Sequence, residues 1–200
     1  MNTKQFVHFV FTAIAAAFVV TCVPAIAHAH TGVDPVHDLL HGLEHPLSGF
    51  DHLCAMLAVG IWATQLGGRS IGVMPAAFIV ALAIGVALGM DGVSLPYVEP
   101  GIALSVVILG VLVATAAWLP LGVSVAIVSL FALVHGYAHG AETPATASGV
   151  FHATGFLVAT VCLLAVGVGF GRFMQRQDHA RFVRAIGVAV MLCGIFLSVR

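Results

Sequence analysis

Six apolar segments follow the first thirty positions of this chain, each near the roughly 20 residues that carry a helix across ~30 Å of hydrocarbon. They fall at 46–66, 71–90, 101–118, 121–140, 148–170 and 182–199. Between them stand Gly67-Gly68-Arg69, the stretch Asp91 to Pro100, Pro120, Thr143-Pro144 and the polar run Arg172 to Arg181. Backbone polar groups inside a bilayer find no water, so segments of this length must satisfy themselves as helices. A hydrophobic content of 60% and a mean hydropathy of +1.11 exceed the roughly 45–50% apolar content of soluble chains. The fold class expected is all-α: a polytopic membrane protein with six transmembrane helices after a cleaved signal peptide. Pro46 suits the first turn of the first span, where its missing N–H is no loss.

Residues 1–29 read as that signal peptide. Lys4 supplies the positive end, Phe6 to Val23 the apolar stretch, and Ala25-Ile26-Ala27 or Ala27-His28-Ala29 the small-x-small cleavage site. Residues 30–200 then form one six-helix transmembrane domain. Cys54, Cys162 and Cys193 stand singly in apolar segments and read as small buried residues rather than a disulfide framework.

Cleavage leaves the new N-terminus outside, which puts the loops after the first, third and fifth spans inside. Arginine gives an independent test. Arg69 lies in the first of those loops, and Arg172, Arg176, Arg181 and Arg184 lie in or beside the last. The opposite loops carry Asp91, Glu99 and Glu142 with no Lys or Arg, as the positive-inside rule expects. The expected location is a bacterial inner membrane, with the mature N-terminus in the periplasm. A net charge of −1 offers no basic patch, so nucleic acid is excluded as a partner.

Only 8% of the chain is charged, yet two short stretches set ionisable residues beside or inside apolar segments. They are His45-Pro46-Leu47-Ser48-Gly49-Phe50-Asp51-His52 and His135-Gly136-Tyr137-Ala138-His139-Gly140-Ala141-Glu142. Such residues in hydrocarbon are costly and mark a substrate or ion path. Imidazoles with carboxylates suit a borderline divalent transition metal. At 1.5 Å per residue, Asp51, His52 and His135 all lie about 8–9 Å below the outer surface. Two tiers follow: His45, His139 and Glu142 outside, then Asp51, His52 and His135. On one helix His45 and His52 stand about 20° from eclipsed. His37, His41 and His45 at i, i+4 spacing form a candidate metal-collecting arm, and His152 is placed to reach the same vestibule. His28 and His30 offer an amino-terminal metal site only if cleavage follows Ala27. His179 reads as a solvated loop residue. Gly85/Gly89, Gly136/Gly140 and Gly167/Gly171 allow close helix approach.

With these residues in view, the chain resembles the HupE/UreJ family of hydrogenase and urease accessory nickel permeases. The resemblance rests on His-x5-Asp-His at 45–52, His-Gly-x-Ala-His-Gly-x-Glu at 135–142 and Phe151-His152-Ala153-Thr154-Gly155-Phe156. It covers the whole chain; Val134 departs from the aromatic expected before the second motif. The resemblance implies Ni²⁺, or alternatively Co²⁺, as transported substrate entering from the periplasm through His45, Asp51, His52, His135, His139 and Glu142, with no resident cofactor.

Two rival classes stand beside this one. A serine or metal hydrolase within the membrane would use Ser48 with a histidine, but the expected Gly two residues before the serine is missing. A metal sensor or scaffold would bind without transport, yet no soluble output domain follows. The expected partners are therefore a divalent metal ion and the lipid bilayer, and the chain is read as no enzyme. Nickel against cobalt, the driving force, a homo-oligomer and the metalloenzyme supplied are left open by the sequence.

Overall fold

The computed structural model describes residues 35–143 and 147–199. The expected signal peptide with His28 and His30, and the side chain of His37, lie outside the described residues. Those residues form helices alone: α1 Pro35–Ser48, α2 Phe50–Leu66, α3 Ser70–Met90, α4 Val98–Thr115, α5 Leu121–Glu142, α6 Ala147–Arg176 and α7 Ala180–Ser198. The last five are each long and apolar enough to cross a membrane; α1 and α2 make a sixth span if the bent pair is counted as one. Leu104, Leu130, Val166 and Leu192 are each more than half exposed on these helices. Such an outward apolar face is what lipid requires and water would penalise. This is a membrane protein.

The first span differs from the sequence expectation. The chain is already helical from Pro35, and Pro46 sits near the end of α1, not at the start of a helix. Gly49 is extended (φ −90°, ψ 115°), and α2 departs at 78° from α1. The cause is local: Pro46 has no N–H to give the preceding turn, the Ser48 hydroxyl donates to the His45 carbonyl at 2.8 Å, and Gly49 restarts the ladder by accepting from Leu53 N–H at 3.0 Å. The helical phase linking His45 to His52 therefore does not exist. The Arg172–Arg181 loop also shrinks, because α6 continues to Arg176 and only Gln177 to His179 turn.

Four glycines fix the pairing of α3 with α5. A Cβ on Gly85 or Gly89 would collide with the carbonyl of Leu133 or Tyr137; one on Gly136 or Gly140 would collide with that of Leu82 or Val86. The two G-x-x-x-G pairs thus interlock with each other, so backbones approach as side-chain-bearing helices cannot. A second interlock joins α1 to α6, where a Cβ on Gly42 would strike the His152 carbonyl and one on Gly155 that of Leu39. Gly167, on α6, similarly faces Leu57 and Gly60 of α2.

At the arginine end, α2 is stapled to its neighbours. Trp62 Nε1 donates to the Ala117 carbonyl at 2.9 Å, Gln65 Nε2 to that of Val113 at 3.0 Å, and Gln175 Nε2 to that of Thr64 at 2.6 Å. The core around fully buried Met56, Trp62, Phe78, Leu109 and Phe156 joins α2 to α3, α4 and α6. Cys54 and Cys193 are partly buried, and Cys162 is exposed rather than buried as the sequence suggested.

Candidate metal centre

The helix bend carries one motif into the other. Because α1 turns aside at Gly49, His45 leans over the start of α2 and its ring lies 6.5 Å from that of His52. Phe50 opens α2, which sets Asp51 and His52 in its first turn. There Asp51 Oδ1 accepts both the His52 backbone N–H at 2.8 Å and its Nδ1–H at 2.6 Å. A Cβ on residue 49 would stand 2.8 Å from Asp51 Oδ1 and 2.9 Å from His52 Nδ1, so this pair requires the glycine. A carboxylate behind an imidazole fixes its tautomer and turns the other nitrogen outward as a donor to metal. For His52 that nitrogen is Nε2.

His52 Nε2 faces His139 Nε2. His139 Nδ1 in turn pairs with His45 Nε2 at 3.0 Å. His139 therefore touches both the residue expected beside it and one expected below it, so it bridges the two tiers. His45 Nε2 or Nδ1, a His139 ring nitrogen and a Glu142 carboxylate oxygen lie within 4.8 Å of one another. His45 is half-buried, His139 buried and Glu142 exposed, so this trio opens outward.

His135 completes the set from beneath. Its ring is fully buried and 5.2 Å from that of His52. Its Nδ1 lies 2.9 Å from the Phe131 carbonyl; a carbonyl only accepts, so Nδ1 carries the proton. In the neutral ring Nε2 is then a lone pair, and it has no hydrogen-bond partner among the described residues. A buried acceptor left unpaired costs about 1–3 kcal/mol, a cost that a ligated cation would remove.

A cavity of about 260 Å³ opens beside these groups, lined by His45, Asp51, His52, His139 and Glu142. Glu99 also lines it, although the sequence placed that residue only in a loop. It arrives because Tyr137, inside the second motif, holds the preceding segment: its hydroxyl donates to the Val93 carbonyl at 2.5 Å and accepts from Leu95 N–H at 3.1 Å. Glu99 follows in the first turn of α4. A third carboxylate beside three imidazoles makes the cavity more favourable for a divalent cation. No residue spacing within α4 signals this; only the tertiary path of 91–97 does.

Known proteins give an independent comparison. The model of the family described as "HupE / UreJ protein" matches residues 16–197. The chain is 40% identical over 189 residues to "Protein HupE" of Rhizobium leguminosarum bv. viciae, covering 94% of this chain and 98% of that protein. No solved structure matches it. Similarity of this extent over nearly the full length of both chains leaves one conclusion: this chain belongs to the HupE / UreJ family.

Proposed function

We propose that this protein is an inner-membrane permease that takes up Ni²⁺, with Co²⁺ as a competing substrate, from the periplasm for hydrogenase or urease maturation. The observation that carries the proposal is the convergence of His45, His139 and Glu142, whose ligand atoms lie within 4.8 Å of one another at the mouth of a cavity. Family membership and the relative's name support the accessory role. In this reading the trio replaces part of the ion's water, and the ion then passes to His52 and His135, with Asp51 holding His52 in its donating tautomer. Imidazole nitrogens suit nickel and cobalt better than magnesium or calcium, which prefer oxygen. A few ligands with incomplete coordination allow release as well as capture. The arginines cluster at the opposite end of the helices, which supports a periplasmic mouth. An inside-negative potential then favours entry by about 2.3 kcal/mol per charge per 100 mV.

A serine hydrolase needs a base within hydrogen-bond reach of its nucleophile. Ser48 Oγ instead donates to the His45 carbonyl, which cannot take its proton. The discriminating experiment is ⁶³Ni²⁺ uptake into cells expressing the wild type, His52→Ala, Asp51→Asn or Ser48→Ala. Uptake in the first two variants falls to the empty-vector level with membrane insertion intact, while Ser48→Ala takes up nickel like the wild type. Wild-type uptake by His52→Ala would sink the proposed path; loss of uptake in Ser48→Ala would contradict the prediction that this serine is dispensable for transport.

A further inference from the structure

Six imidazoles stand in file from the surface into the core: His41, His152, His45, His139, His52 and His135. Successive ring centroids are 5.3, 5.6, 4.7, 4.2 and 5.2 Å apart. Exposure falls along the file, from exposed His41 through half-buried His152 and His45 to fully buried His135. The last four belong to the centre described above. The first two do not.

His41 and His152 come from different helices, α1 and α6, and their Nδ1 atoms are 3.4 Å apart. An ion bound at about 2.1 Å to each of two imidazole nitrogens sets those nitrogens about 3.0–3.4 Å apart, from octahedral to tetrahedral geometry. The spacing suits a shared ion without rearrangement. Packing holds the pair there: Gly42 is next to His41 in sequence, and any Cβ on it would strike the His152 carbonyl. One turn earlier on α1, Asp38 Oδ2 accepts the Ser148 hydroxyl at 2.6 Å, fixing the start of α6 against α1.

We propose that His41 and His152 form a separate capture site for a hydrated divalent transition-metal ion, which they hand to His45. Two neutral imidazoles leave most of the coordination sphere to water, so the site binds weakly and releases readily. Its effect is to hold the ion beside His45 at a raised effective concentration. The site pairs His41 across helices, where the sequence had suggested a ladder along α1 alone.

The kinetic test rests on the permease reading; a binding test does not. In the first, ⁶³Ni²⁺ uptake is measured against concentration for the wild type, His41→Ala, His152→Ala and the double variant. Losing the capture site raises KM about tenfold through lost effective concentration, with Vmax unchanged, and the double variant matches either single one. An unchanged KM, or a lower Vmax at constant KM, overturns the proposal. In the second, purified full-length protein carrying His139→Ala is titrated with Co²⁺ and followed by its d–d absorption. A weak cobalt band that disappears when His41→Ala is added supports the capture site; a band indifferent to His41→Ala, or no band, overturns it. If the wild type takes up no nickel, the permease reading fails and the cobalt titration still decides this one.

Discussion

Uptake falls to background when His139 is replaced by alanine, as far as any single substitution can lower it. Among the described residues, His139 is the imidazole whose nitrogens meet both His45, at 3.0 Å, and His52. Its removal parts the outward-facing trio from the buried pair and leaves no imidazole between them. Even residues behind a metal ligand typically change affinity by about 10–100-fold, so a bridging ligand should exceed the upper end of that range. The fold should survive, because α5 is held by its glycine contacts with α3 rather than by this ring. His139→Gln, which keeps most of the bulk, should restore melting temperature without restoring uptake. Transport and thermal melting of the detergent-solubilised protein check the claim together. Near-normal uptake by His139→Ala would contradict it.

Gly140→Leu should prevent the native bundle from forming, and Gly136→Leu likewise. A Cβ at either position collides with a carbonyl oxygen of α3, that of Val86 or Leu82, and a backbone atom cannot rotate away as a side chain can. Overpacking at well-packed sites costs about 1–3 kcal/mol for small additions; a leucine between two interlocked backbones adds a whole side chain. The two helices must separate, and His135 and His139 move with α5 away from His52. Gly122→Leu and Gly72→Leu are the controls, since a Cβ there meets nothing within 4 Å. Membrane yield and melting temperature should collapse in the first two variants and hold in the controls. Native melting of Gly140→Leu would show that the helices pack otherwise.

The reach of the sequence follows from what sequence patterns encode. Segment length and hydropathy place α3 to α7 to within a few residues at most ends, because a bilayer fixes how long an apolar run must be. Ligand-type residues stand out for the same reason: an apolar segment has no other use for His52, His135 or His139. The six residues singled out from sequence do come together around one cavity and the ring beneath it; their service as ligands is the proposal that the uptake experiments test. What the sequence hides is tertiary. The break at Gly49 comes from the missing N–H of Pro46 and the Ser48 hydroxyl on the His45 carbonyl, where the hydropathy pattern had placed Pro46 at a helix start. Glu99 reaches the cavity only through the hold of Tyr137 on residues 93 and 95. His41 finds His152 only because Gly42 and Gly155 let α1 and α6 touch. The bridging place of His139 likewise arises from the bend that tips His45 over α2.

The most direct test is transport by the purified protein alone. Full-length protein is reconstituted into liposomes with an inside-negative potassium diffusion potential, and ⁶³Ni²⁺ accumulation is followed with and without excess Co²⁺. The account predicts saturable accumulation that Co²⁺ suppresses and that His52→Ala abolishes. Accumulation no greater than in protein-free liposomes, by protein whose native melting is intact, would contradict the claim that this chain moves the ion.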